Sequence, residues 1–295
     1  MNFEMMKSLC CAKEDHLFNF LYEFLKKHGY SNVQKGKDYI VAEGTSKYPV
    51  CLLAHLDTVF LRTPDEDEFY YDSHKKVLWN PNGSGFDDRA GVYAIIVLIL
   101  KGYTPSIIFT RGEERGGIGA GKLITRFPHC PFKNCKALIQ LDRAGYNDMV
   151  FYSCGNDKFT DYIGTFGFEE DFGTFTDISI IAPQWGLAAV NLSIGYEYEH
   201  TAGELLHIDW CDETIEKVKN ILDKSAQMKK YKYIAIPLDK LYSKYMFETE
   251  VDYQSECICC GKNISKGKGI SLPEFAPYVM CNACYDEYYC NDDNI

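Results

Sequence analysis

The chain has no apolar run approaching the roughly 18 residues that a membrane-crossing helix needs; residues 92–100 cover about half of that length. Basic residues are also in short supply. Lys and Arg number 31 against 42 Asp and Glu, a formal charge of −11, and no basic stripe offsets that balance. Nucleic acid and anionic membrane are therefore excluded as main partners, because phosphates need a basic face. Residues 1–7 lack both an apolar signal core and a small-residue cleavage site, so no secretory route is expected. The 13 cysteines accordingly read as reduced thiols or metal ligands of a cytoplasmic protein, not as disulfides. Internal repeats and low-complexity tracts are missing too.

What is present suffices for a sizeable core: 295 residues, 46% of them apolar. Residues 15–28 carry Leu17, Phe18, Phe20, Leu21, Phe24 and Leu25 at helical spacing and close on Lys26-Lys27-His28-Gly29, a cationic last turn followed by a glycine stop. Segments 39–42, 50–54, 106–110, 137–141, 149–154 and 187–194 read as strands, and 69–79 as an edge hairpin. Helical patterns cover 92–100, a short stretch ending at 127, 157–167 and 211–228. This alternation implies an α/β fold, a three-layer αβα sandwich with a mixed, largely parallel central sheet, filling residues 1–230. Residues 231–255 read as a linker and 256–295 as a small cysteine-bearing tail.

Three buried strands run directly into acids or histidine. Residues 50–54 lead to His55-Leu56-Asp57, 106–110 to Arg111-Gly112-Glu113-Glu114, and 137–141 to Asp142. Open α/β sheets present their chemistry at such strand ends. Between them lies Gly83-Ser84-Gly85-Phe86-Asp87-Asp88-Arg89-Ala90-Gly91, two adjacent carboxylates in a glycine-rich turn before an apolar helix, and 187–194 leads on to Glu199-His200-Thr201. Alone, the Asp-Asp turn would be a solvated turn. Gathered at one end of a sheet, His55, Asp57, Asp87, Glu113, Glu114, Asp142 and His200 would repel unless cations sat among them. Zinc accepts imidazole and carboxylate together, and a pair of zincs needs about five such ligands with one carboxylate bridging.

In order and rough spacing, these motifs and Gly116-Gly117-Ile118-Gly119-Ala120 resemble the co-catalytic dizinc exopeptidases, the superfamily of bacterial leucyl aminopeptidase, glutamyl aminopeptidase and peptidase T. The similarity spans residues 50–228. It implies that Asp87 bridges two zincs (cobalt or manganese being alternatives), with His55 and Asp142 on one and Glu114 and His200 on the other. It further implies that Asp57 holds the His55 ring, that Glu113 is the general base, and that the Asp87-Asp88 peptide is cis. The substrate implied is a peptide or small amide cleaved at a chain end, most readily by an aminopeptidase. Too few residues separate Asp57 from Asp87 and Asp142 from His200 for an inserted lid domain, so the core resembles the compact leucyl aminopeptidase arrangement.

Some residues stay outside this set. His207 rivals His200 but sits among Leu205, Leu206 and Ile208; His74 and His129 have no role; Arg89 and Arg143 read as partners of nearby acids; Asp177 reads as a helix N-cap. Cys257, Cys260, Cys281 and Cys284 form a C-x2-C pair, twenty residues, and a second C-x2-C pair, the spacing of a structural zinc in a zinc ribbon or treble clef, with Cys259 or Cys290 able to replace a ligand. That tail departs from the family pattern and could recruit a protein partner. Two alternatives to an aminopeptidase remain at this stage: a dizinc amidohydrolase or deacylase acting on a non-peptide amide, and an inactive binding module working through the tail.

Overall fold

Strands that are apolar on both faces must be covered on both faces, and this chain does so with helices on either side of one sheet. The structure, a computed structural model, describes residues 1–236 together with 255–257, 260, 262–264, 269–270, 280–281 and 283–284. Two compact units divide the chain, Met1–Ala235 and Ile236–Ile295.

The first unit runs α1 (Phe3–Cys11), α2 (Glu14–Lys27), β1 (Val33–Lys35), β2 (Tyr39–Ala42), β3 (Cys51–His55), β4 (Tyr70–Asp72), β5 (Val77–Trp79), α3 (Phe86–Leu100), β6 (Ser106–Thr110) and α4 (Ile118–Arg126). It continues β7 (Leu138–Arg143), β8 (Asp148–Val150), α5 (Asp157–Gly164), β9 (Glu169–Glu170), α6 (Asp177–Trp185), β10 (Ala189–Ser193), β11 (Tyr196–Glu197), β12 (Leu205–His207) and α7 (Ile208–Ser225). Eight strands make one mixed sheet in the order β1-β2-β6-β3-β7-β10-β8-β9, with β6, β3, β7 and β10 parallel at its centre. Antiparallel β2 and β8 flank that centre.

Alternation along the strands splits the core in two. Leu52, Ala54, Ile107, Phe109, Ile139 and Leu141 face α1, α2, α3, α5 and α7; Cys51, Leu53, Ile108 and Leu138 face α4 and α6. Helix α3 is buried along nearly its whole length, as an all-round apolar helix must be. Among the described residues no helix is long and apolar enough to cross a membrane.

Several boundaries differ from the sequence reading. Strand 149–154 stops at Val150, because Tyr152 takes a positive φ of 52° and Cys154 N–H turns back to the Phe151 carbonyl. The helix expected to reach 167 ends at Gly164, and the last helix starts earlier, at Ile208, and ends at Ser225. The 69–79 hairpin forms, but β5 also pairs with β12, so a second, four-stranded antiparallel sheet arises in the order β11-β12-β5-β4. Residues past 230 still belong to the first unit: Tyr231 N–H donates to the Lys136 carbonyl and Tyr233 N–H to that of Gly186. Asp177 is not an N-cap. Thr176 occupies that position in a capping box with Ser179, and Asp177 is the first residue inside α6.

In the second unit, β13 (Ser255–Glu256) pairs with β14 (Asn263–Ile264), and β15 (Gly269–Ile270) with β16 (Met280–Cys281), both antiparallel.

Candidate active site

The chain leaves β3 through α3 to reach β6 on one side, then crosses through α4 to β7 on the other. Such a reversal opens a crevice at the carboxyl ends of the strands. His55 closes β3, the Glu113-Glu114 loop follows β6, and Asp142 lies near the end of β7, so the parallel register brings all three to that crevice.

His55 is buried, and its Nδ1 lies 3.0 Å from the Asp57 carbonyl. A ring nitrogen facing a carbonyl carries the proton, which leaves the Nε2 lone pair outward in the neutral ring. Nε2 meets Asp87 Oδ1 at 3.1 Å and Asp142 Oδ1 at 3.3 Å. His200 Nε2 likewise meets Asp87 Oδ2 at 3.2 Å and Glu114 Oε2 at 3.1 Å. Asp87 thus turns one oxygen to each histidine. A buried nitrogen lone pair set against carboxylate oxygens is tolerable only with a proton or a cation between them. Glu114 Oε1, buried with no hydrogen-bond partner among the described residues, adds an unspent electron-pair donor to the same cluster. Asp87, Glu114 and His200 place one donor atom each within 4.8 Å of one another, as do His55, Glu113 and Glu114. This set of imidazoles and carboxylates fits divalent cations of the zinc type.

Protonation in the metal-free cluster follows from crowding. Burial, then the Asp142 charge, pushes the Glu113 carboxyl up to about 9. Burial pushes Asp142 up to about 7 in spite of His55. Burial works against Asp87 as well, but hydrogen bonds to His200 and His55 win and hold it below the usual carboxylate range. Hydrogen bonds to Asp87 and Glu114 raise His200 to about 10. For His55 burial favours the neutral ring, yet Asp142, Asp57 and Asp87 together raise its pKa.

The backbone that carries these groups is tightly specified. The Asp87-Asp88 peptide is cis, as the resemblance implies. Asp88 spends one oxygen on the His55 N–H (3.1 Å) and the other on the Gly91 N–H (3.0 Å), tying the end of β3 to the start of α3. Only glycine fits at 91, where a Cβ would lie 2.2 Å from the Leu141 carbonyl oxygen.

With the geometry established, comparison with known proteins is informative. Residues 39–210 match the model of peptidase family M28. The chain is a member of that family. As an M28 peptidase it is a metallo-hydrolase. No curated protein sequence matches the chain. Among solved structures it is similar to a tripeptidase from Staphylococcus aureus (14% identity, 76% of this chain and 98% of that one, TM-score 0.61). It is similar as well to the aminopeptidase PepT from Bacillus cereus (15% identity, 77% and 99%, TM-score 0.60). A TET aminopeptidase from a marine sediment thaumarchaeote matches at 13% identity, over 76% and 98% of the two chains, with TM-score 0.58. At such identities these likenesses show the fold.

Some groups of this M28 peptidase act otherwise than the sequence implied. His55 Nδ1 faces both the carbonyl (3.0 Å) and the carboxylate (3.6 Å) of Asp57, and that carboxylate also accepts the N–H groups of Gly112 and Glu113, a role the sequence did not suggest. Among the described residues Arg89 pairs with no acid but donates to the carbonyls of Leu9 and Ala12 at the end of α1, whereas Arg143 does meet Asp171, at 2.6 Å. His207 faces Glu197 at 2.7 Å and stacks on Trp210, apart from the cluster. His74 and His129 join no ligand group among the described residues.

Other residues around the cluster went unread in the sequence. Asp142 accepts from Gln140 Nε2 (2.9 Å), Thr176 Oγ1 (2.8 Å) and Tyr196 Oη (3.2 Å), and the Asn191 amide brackets its backbone. Asp177 is buried, accepts from Thr110 Oγ1 and has no partner for Oδ1 among the described residues; burial raises its carboxyl to about 6. Glu204 accepts from the backbone at the start of α3. Each of these contacts, apart from Gln140, spans dozens of residues, so no local pattern announces it.

In the tail, the four sulfurs of Cys257, Cys260, Cys281 and Cys284 lie within 4.8 Å of one another. Cys260 Sγ is 3.8 Å from Cys281 Sγ, and the Cys281 N–H donates to Cys257 Sγ at 3.2 Å. Cys259 and Cys290, the alternative ligands, lie outside the described residues.

Proposed function

We propose that this M28 peptidase is an aminopeptidase using a pair of divalent ions, zinc first and cobalt or manganese as substitutes. His55 and Asp142 would hold one ion, Glu114 and His200 the other, and Asp87 both. The observation that carries this reading is that Asp87 presents one oxygen to each histidine, at 3.1 and 3.2 Å. When bound, such ions acidify a water and polarise the scissile carbonyl. Glu113, next to a ligand and held by its backbone to Asp57, would take the proton from water on its carboxylate and deliver it to the leaving amine nitrogen. Positive charge in the cluster would draw the Glu113 carboxyl down from the high value that it has among bare acids.

The substrate would be a peptide cleaved from its amino end; the aminopeptidases among the similar folds support that choice. We propose in addition a structural zinc on the four tail thiolates, a tail that could recruit a protein partner, and a cytoplasmic setting in keeping with the cysteine usage.

Metal analysis and a substrate screen test this together. About three zincs per chain are expected, two of them removed by mild chelation with loss of hydrolysis. Aminoacyl substrates should be cleaved, and N-acylated or carboxy-terminal ones not. Cleavage of N-acyl amides alone would replace the aminopeptidase by an amidohydrolase. A single tightly held zinc with no hydrolysis would leave a binding module.

A further inference from the structure

Asp87 and Asp88 interrupt α3 with non-helical backbone, so the N–H groups of the turn ahead of its regular part need acceptors from elsewhere. That turn opens at Gly85, which lies in the left-handed region at φ 71° and has no side chain to offer. The acceptor comes from 119 residues away. Glu204, fully buried, takes the Gly85 N–H on Oε2 at 2.5 Å and the Asp87 N–H on Oε1 at 2.9 Å. Its backbone carbonyl also accepts from Ser84 Oγ at 3.1 Å, and Ser84 Oγ accepts from the Asn80 N–H at 2.9 Å.

Glu204 lies at the end of the loop between β11 and β12, and His200 lies within that same loop. His200 is half-exposed and takes a positive φ of 63°, so its own packing holds it weakly. The loop is laced internally instead: Thr201 Oγ1 donates to the Tyr198 carbonyl, and the N–H groups of Gly203 and Glu204 return to Thr201. One short segment thus presents His200 at one point and grips the backbone of Asp87 at another. We propose that Glu204 is a positioning residue that clasps the His200 loop to the Asp87 turn and so sets the separation of the two groups that would hold the ion shared with Glu114.

This inference rests on the two-ion reading, and the test separates the two. The full chain is stripped of metal by mild chelation, and zinc is returned calorimetrically to the wild type, Glu204→Gln and Ser84→Ala. An amide at 204 keeps the shape but faces an N–H donor with another donor. One of the two core binding steps should weaken about 10–100-fold, the range typical of groups that orient ligands, with the other step less affected. Ser84→Ala, which spares the carboxylate, should bind as the wild type does. Substitution of cobalt should show the same selectivity as a change in the visible absorption of one ion.

Unchanged binding steps and cobalt spectrum in Glu204→Gln, with only a lower Tm, would overturn the proposal and leave the two-ion reading standing. A wild type that takes up no second core ion would overturn both. Should Glu204→Gln fail to fold, Glu204→Asp, which retains both acceptor oxygens at a shorter reach, decides in its place: a selective loss supports the clasp, and wild-type affinities overturn it.

Discussion

The carboxylate of Asp57 accepts the backbone N–H of Glu113 at 3.2 Å and that of Gly112 at 2.6 Å. The acid two residues past the β3 histidine therefore fixes the loop that follows β6. Burial works to raise the Asp57 carboxyl, but the adjoining His55 first, and then these N–H groups, hold it down to about 2, so it stays an acceptor. Asp57→Ala should leave the ion count unchanged while lowering kcat about 10–100-fold, because Glu113 is no longer aimed. Steady-state kinetics beside metal analysis check this; loss of an ion would mean that Asp57 supports the ligands instead.

Replacing Glu113 by Gln should separate proton transfer from metal holding. Both core ions are expected to remain, and kcat to fall about 10²–10⁴-fold with little change in KM. A variant that loses metal would reverse the assignments of Glu113 and Glu114.

Stripped of metal, the protein should lose stability as pH rises from about 6.5 to about 9. His200 has its pKa raised to about 10 and Glu113 to about 9, both above their unfolded values, so across this window the folded state binds more protons than the unfolded state and each unit of pH favours unfolding. Bound cations take the place of those protons, so zinc affinity should rise over the same window and the loaded protein should show a flatter profile. Thermal melts with and without chelator measure both slopes, and parallel slopes would be the contrary outcome.

Cys281→Ser should remove one tightly held zinc per chain and leave the two chelator-sensitive ions in place. Mass spectrometry of the native protein counts them. Retention of all three would exclude tetrahedral thiolate ligation in the tail.

Much of this site could be read along the chain because its candidate ligands stand where local patterns end. His55, Glu114 and Asp142 each follow or close an apolar strand, and strands that are apolar on both faces belong to a parallel sheet whose carboxyl ends meet. Asp87 was marked by its glycines, one at a left-handed φ and one, Gly91, pressed against the Leu141 carbonyl. The ends of elements were less legible. Strand 149–154 looked continuous until Tyr152 adopted a positive φ, a choice made by the turn into Cys154 and not by β propensity.

The layers, the polar residues that follow the buried strands and the residue types of the candidate ligand cluster are legible in the chain alone, since burial periodicity and donor chemistry are written residue by residue. Tertiary packing alone sets which oxygen of Asp87 meets which histidine, and that Glu204 accepts the N–H groups of Gly85 and Asp87, 119 and 117 residues away. Those are hydrogen bonds between groups far apart in the chain. Their short range makes them sensitive to a few tenths of an ångström in how the loops pack, and no local pattern carries that information.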